Sequence, residues 1–450
     1  MTLIGLEVHG YLDTKEKLFC NCSTWGEKPN TAICPICTAQ PGSKPMLPNK
    51  EAIKKAVQIG LMLNTKINTD DKKTLIWQRK HYNWPDLPKG YQNTLSGTYA
   101  VPIGEKGKFL GIRIRELHLE EDPAAWNPET GEIDYNRSGL PLIEIVTEPD
   151  FTSSEQVAEW LKKLIITLSY IKAIKKLSGI KADVNVNIKG KSERAEIKNM
   201  HSISDIIKAI EYELKRHEKE RPKLKETRRW DAEKNITESM RSKESQADYR
   251  FISDPDFPAI KISKKEVEKI KNNLPETPEE KLRKLVKKHK LDEKDAKILT
   301  KNLELVELVE ELSKYIDVKK HISWITIELL RVLNYNKKTL DEIEIEAKHI
   351  GELIKEVASG GMTELKAKQI MNEFVPKSFS IKDKKDISKT PGNEIKNICI
   401  RVIKENPKAV QDYKNGEEKS LNFLIGKVMS LSNRRADYKA TRKELLNLMK

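Results

Sequence analysis

The chain has 450 residues, a formal charge of +15 and a pI near 9.2. That length exceeds one compact core and implies two to four domains, and the basic balance suits a polyanionic partner. No apolar run approaches the roughly 18 residues that span a bilayer, Met1–Glu7 lacks the flank and apolar run of a signal peptide, and an odd count of five cysteines argues against a disulfide framework; the chain reads as cytosolic.

The first predicted element is a strand over Leu3–Leu12. Glu7 and His9 interrupt its apolar run two residues apart, so a period of two puts both on one face. Cys20-x-Cys22 and Cys34-x-x-Cys37 follow, with eleven residues between the pairs. Two short thiolate knuckles can surround a tetrahedral zinc ion, and a four-sulfur shell leaves no place for water, so the role is structural. Reduced free thiols are the alternative. Arg79–Gln92 mixes cations, aromatics and prolines without a structural period and reads as an irregular loop of the kind that lines sites.

A strand over Gly111–Leu119 runs into Glu120-Glu121-Asp122, three adjacent acids that repel one another unless a cation relieves them. Another, Leu142–Val146, carries Glu144 in an apolar setting, where a carboxylate is costly unless paired or bound to a cation. Singly, these residues fit a buried salt bridge, a strand-end turn and a satisfied imidazole. Together they suggest a hard divalent ion, suited to Mg2+ at a phosphoryl-transfer centre. Thr152-Ser153-Ser154-Glu155 reads as a capping box, with Val157, Trp160, Leu161, Leu164, Ile165 and Leu168 on one helix face.

Asp183–Ile188 and Glu193–Lys198 form a predicted hairpin. Val184, Val186 and Ile188 make one face; Asp183, Asn185, Asn187, Arg194, Glu196 and Lys198 make the other. That second face is either simply solvated or a site for nucleotide phosphates and a second metal. Beyond Asn272 helical patterns dominate, and Pro391-Gly392 marks a further linker. The expected class is α+β, divided into residues 1–273, 274–378 and 379–450. Residues 381–450 hold 17 Lys and Arg against 9 Asp and Glu, net +8, which favours the tail as a place where a phosphate backbone lies. Its stripes Ile395, Ile398, Cys399, Val402, Ile403 and Leu421, Leu424, Ile425, Val428 put Cys399 in a core. No G-x-x-x-x-G-K-[ST] loop, G-x-S-x-G elbow or amidase signature occurs, so neither a P-loop ATPase nor glutamine hydrolysis is expected.

These residues resemble the B-subunit family of the aspartyl/glutamyl-tRNA amidotransferase (GatCAB). The likeness runs in order through Ile4–His9, the cysteine quartet, Arg79-Lys80-His81-Tyr82, His118–Asp122, Asp134–Arg137 and Pro141–Asp150. It continues through Asp183–Val186, Glu196–Asn199, Glu226–Arg228, Met240–Glu244, Asp248–Arg250 and Asp254–Asp256. Glu405-Asn406-Pro407, Asp412-Tyr413 and Phe423–Gly426 resemble the family's YqeY-like tail. Departures are Pro123-Ala124-Ala125, where many members have Ala-Gly-Lys, and His81 and Asn83; the proline resembles archaeal members.

The resemblance implies a cradle-like catalytic domain with an antiparallel sheet akin to glutamine synthetase, an all-α domain and a small helical tail. It implies that ATP phosphorylates the side-chain carboxyl of Asp or Glu carried on tRNA(Asn) or tRNA(Gln). Ammonia, channelled from a glutaminase A subunit in a heterotrimer with a small C subunit, then displaces the phosphate. The family's Mg2+ ligands fall on His9, Glu121 and Glu144, with Glu7 beside them as a possible base, and Lys80 borders the ammonia route. Two rivals stand. The paralogous E subunit of the tRNA-Gln-specific enzyme carries an inserted domain for which 450 residues leave little room. A non-catalytic zinc-ribbon RNA-binding protein would need no acid set.

Overall fold

The alternating run at the N-terminus becomes the centre of a large sheet. A computed structural model of the chain describes all residues except 71–72, 83, 98, 176–179, 243–249, 385 and 450. Asn83, Lys243, Glu244, Asp248 and Tyr249, named above, therefore lie outside the described residues. Two compact units are present, Met1–Thr277 and Pro278–Lys450.

In the first unit the strands are β1 (Thr2–Tyr11), β2 (Lys66–Ile67), β3 (Gln78–His81), β4 (Tyr91–Thr94), β5 (Gly104–Phe109), β6 (Ile112–Glu121), β7 (Ala125–Trp126), β8 (Ile133–Asp134), β9 (Pro141–Thr147), β10 (Ile180–Ile188), β11 (Ala195–Lys198), β12 (Glu226–Asp231), β13 (Ile236–Ser242) and β14 (Arg250–Ser253). The main sheet runs β13-β12-β11-β10-β1-β9-β6-β4-β3-β14, with β5 on β6 and β2 on β5. All pairs are antiparallel except β11–β12. The class is α+β, as the sequence implies.

Helices α1 (Lys50–Met62), α2 (Ser154–Tyr170) and α3 (Ile203–Glu220) pack on this sheet, and α4 (Lys264–Asn272) packs on α1. Ile4, Leu6 and Val8 of β1, Leu117 and Leu119 of β6, Ile143 and Ile145 of β9, and Val184 and Val186 of β10 all enter one apolar core. Alternation then sends the residues between them to the other, polar face. The start of α2 differs from expectation by one residue. Ser153 is the N-cap and accepts from the Gln156 N–H, while the Gln156 amide oxygen accepts from the Thr152 N–H. Of the predicted stripe, Val157, Trp160, Leu161, Leu164 and Leu168 are buried and Ile165 is exposed.

The second unit is helical throughout, from Pro278–Lys287 to Tyr438–Met449, apart from short turns and connections. It holds two separate apolar cores, one drawn from Leu285–Ile381 and one from Ile395–Met449. Cys399 is buried in the latter, on the predicted stripe.

Candidate active site

The antiparallel register builds the site in rungs. Lys181 of β10, His9 of β1, Glu144 of β9 and His118 of β6 are successive cross-strand partners. Next to them stand Asp183, Glu7, Val146 and Glu116. Residues on one rung share a face, so the polar side of four central strands collects acids and imidazoles.

Two carboxylate groups result. In the first, His9 Nε2 lies 3.5 Å from Glu144 Oε1 and 3.9 Å from Glu120 Oε1. Burial alone would lower the proton affinity of His9, but the hydrogen bond and charge of Glu144, with Glu120 and Asp183, raise its pKa to about 9. Burial likewise works to raise Glu144, yet His9, His118 and Lys80 hold it below the usual range. Burial and the neighbouring Glu144 push Glu120 up to about 6. Lys80, on β3, thus acts on both carboxylates through its charge.

In the second group, Glu7, Asp183 and Glu196 bring one oxygen each within 4.8 Å of one another. Lys198 binds both Asp183 and Glu196, and the Asn185 amide donates to Glu7 at 3.0 Å. Burial first, then Glu196 and Glu144, raise the pKa of Glu7. The predicted hairpin is thus present, with Asn185 opposite Glu196. Asn187 lies further along β10, opposite Leu3, and Arg194 just ahead of β11, so neither belongs to this group.

Glu121 does not join His9 and Glu144. Its carboxylate accepts from Lys89 and from the Asn93 N–H, the latter at 2.9 Å, because adjacent strand residues point to opposite faces. The carboxylate that the structure brings to His9 is Glu120. Lys89 was missed as a specific residue because Arg79–Gln92 reads as a loop; its two ends are instead β3 and β4, paired with each other.

The four predicted knuckle cysteines converge, their sulfurs all within 4.8 Å of one another. Cys34 and Cys37 sulfurs are 3.9 Å apart, close to the ~3.8 Å edge of a tetrahedron with zinc–sulfur bonds near 2.3 Å. Without a cation the charge cannot be shared evenly. Hydrogen bonding from Cys20 and the Cys34 N–H, with the charge of Lys17, pulls Cys37 down to about 4. Burial and Cys34 push Cys22 up to about 12, while Cys37 and burial push Cys20 up. The donor set fits zinc. Ser138 Oγ donates to the Cys37 carbonyl at 2.8 Å, and the Gly139 N–H donates to the Asp122 carbonyl at 2.9 Å. The knuckle is therefore fastened to the acidic end of β6.

The chain is similar over nearly its whole length to known proteins. The family profile described as the GatB/GatE catalytic domain matches residues 2–268, and one described as the GatB domain matches residues 307–449. A Methanocaldococcus jannaschii protein, named as the B subunit of an aspartyl/glutamyl-tRNA(Asn/Gln) amidotransferase, is 43% identical, over 97% of this chain and 95% of that protein. Proteins of the same name from Methanothermobacter thermautotrophicus and Methanobrevibacter smithii are 41% and 42% identical. The first alignment covers 97% of this chain and 98% of the relative, the second 97% of each.

Proposed function

The chain belongs to the GatB/GatE family, and from that membership we propose that it is the component of a tRNA amidotransferase that activates the misacylated aminoacyl group with ATP. The observation that carries the reading is the polar face, where Glu120 and Glu144 flank His9, and Glu7, Asp183 and Glu196 form a second group, with Lys80 acting on the first and Lys198 pairing in the second. Five buried or half-buried acids on one apolar-backed sheet are costly unless cations balance them.

His9, Glu120 and Glu144 would hold one Mg2+, and Asp183 and Glu196 would help to hold a second, leaving Glu7 beside them free of metal. Glu121, the ligand expected from the resemblance, supports Lys89 instead. The ions would supply charge neutralisation at phosphoryl oxygens. The side-chain carboxylate of Asp or Glu on tRNA attacks the γ-phosphorus of ATP and ADP departs; ammonia then attacks the activated carbonyl carbon and phosphate departs. Glu7, whose proton affinity is raised, is suited to take the proton that ammonium must lose. Lys80 places a positive charge beside Glu120 and Glu144, at the position that the resemblance sets on the border of the ammonia route.

The chain carries no amidase signature, so ammonia comes from a glutaminase A subunit in a complex with a small C subunit. The likeness to a glutamine synthetase cradle and a cytoplasmic setting belong to the same proposal. We also treat the second unit as two domains, since its apolar cores are separate, the basic tail being the tRNA-binding one. The test is release of γ-phosphate and formation of the amide by the assembled complex, with Asp-tRNA(Asn) and Glu-tRNA(Gln) in separate reactions. Amide formation coupled to phosphate release is expected with at least one. Binding of tRNA without ATP consumption would favour the zinc-ribbon RNA-binding reading and overturn this one.

A further inference from the structure

The rung that carries His9 ends in a cation. Lys181 is the direct cross-strand partner of His9. It is exposed because β11 pairs with β10 only over Val184–Val186, which leaves the Lys181 end of the strand open on that side. Its ammonium lies 5.8 Å from the centre of the Tyr11 ring, and Tyr11 stands two positions from His9 on the same face. Tyr11 is itself fixed by a 2.7 Å hydrogen bond from its hydroxyl to Asp122. The ring therefore steadies the ammonium without consuming its N–H donors.

Of the other cations near this face, Lys80 acts through its charge on Glu120 and Glu144. Lys198 is held between Asp183 and Glu196, and Lys89 is held by Glu121 on the opposite side of β6. Lys181 makes no close ion pair among the described residues, and its charge acts at longer range on Asp122, the partner of Tyr11. A nucleoside triphosphate brings several negative charges to a face that already carries five carboxylates. Divalent ions bound by those carboxylates would offset only part of that repulsion, and an exposed ammonium at the open end of the rung supplies a further attractive contact.

The geometry points to Lys181 as a nucleotide-binding residue whose ammonium contacts the polyphosphate of ATP beside the His9–Glu144 pair. The inference rests on the ATP-dependent reading above. The same ammonium chemistry would also suit a phosphodiester of the tRNA acceptor end, so the experiment separates the two.

In the assembled complex, Lys181→Met and Lys181→Arg are compared with the unaltered protein. Affinity for Mg-ATP is measured without tRNA, and affinity for Asp-tRNA or Glu-tRNA without ATP. Losing one charge-assisted contact should weaken ATP binding about 10- to 100-fold in the Met variant, leave tRNA affinity unchanged, and be largely restored in the Arg variant. Far-UV circular dichroism should not change, since the side chain is exposed. Unaltered ATP affinity in the Met variant overturns the inference. So does a loss confined to tRNA, or an equal loss in the Arg variant. If the unaltered complex itself fails to bind ATP, the proposed function fails first, which is a different result.

Discussion

Glu120 and Glu121, neighbours on β6, send their carboxylates to opposite faces of the sheet: Glu120 Oε1 lies 3.9 Å from His9 Nε2, whereas Glu121 is held by Lys89 and the Asn93 N–H. Under the proposed function, the pair separates a metal-facing role from a supporting one. Glu120→Gln should raise the Mg2+ concentration needed for half-maximal phosphate release at least tenfold and slow activation by about a thousandfold, the equivalent of ~4 kcal/mol of barrier. Glu144→Gln should do the same. Glu121→Gln should leave the Mg2+ requirement within about twofold, because it removes a lysine's partner rather than a ligand. A Mg2+ titration of γ-phosphate release decides it. A shifted requirement in the Glu121 variant alone would return the third ligand to that residue.

The cysteine knuckles should hold about one zinc per chain in protein purified without chelator. Cys34→Ser combined with Cys37→Ser should abolish that zinc, and elemental analysis that still found it would refute the assignment. The knuckle's fastening through Ser138 to the segment before β9 adds a second expectation. Zinc loss should increase hydrogen exchange in residues 135–140 as well as in the knuckle itself, and exchange confined to the knuckle would show that the two move independently.

Deleting residues 391–450 should weaken tRNA binding more than it damages activation. The cut keeps the Leu285–Ile381 core and removes only the smaller one. It also removes much of the net +8 found in residues 381–450, so the dependence of affinity on salt should become shallower. Affinities measured across a salt series, alongside phosphate release at saturating tRNA, test this. An equal slope with and without the tail would place the phosphate contacts elsewhere.

The face of β1 was readable because its alternation is unbroken: Ile4, Leu6 and Val8 point to the core, so Glu7 and His9 point away. On β6 the alternation changes phase. Ile112 and Ile114 are buried at even positions, Leu117 and Leu119 at odd ones, and an irregularity between Ile114 and Glu116 accounts for the switch. Counting from Leu117 and Leu119 would have put Glu120 beside His9, so that signal was present. Strands β3 and β4 had no such signal. Gln92, Asn93 and Thr94 are buried polar residues whose place is set by partners such as the Glu121 carbonyl and Asp254, far away in sequence. The polar core under α3 left a fainter trace, Glu213 and His217 at helical spacing on the face that carries Ile206, Ala209 and Ile210.

That polar core gives the last prediction. Glu213 is fully buried and receives Arg216, His217 and Arg228 at 2.8, 3.2 and 3.0 Å, with the Thr237 hydroxyl as a further donor. Burial alone would raise its pKa, but the hydrogen bonds of His217, Arg216 and Thr237 bring it down to about 2. Because the folded value is depressed, the carboxylate stabilises the fold above its unfolded value near 4.5, and that contribution fades as pH falls towards about 2. A gap of this size corresponds to about 3 kcal/mol at neutral pH. Glu226 still pairs with both arginines when Glu213 is neutral, so the loss in Glu213→Gln should not exceed that figure. The effect should centre on β12, whose Thr227 hydroxyl donates to Glu196 of the polar face at 3.1 Å. Hydrogen exchange of β11 to β13, corrected for the intrinsic pH dependence of exchange, should show less protection in the variant at pH 7 and a smaller difference at pH 3. A difference that stays constant across that range would mean that packing, not the carboxylate's charge, secures these strands.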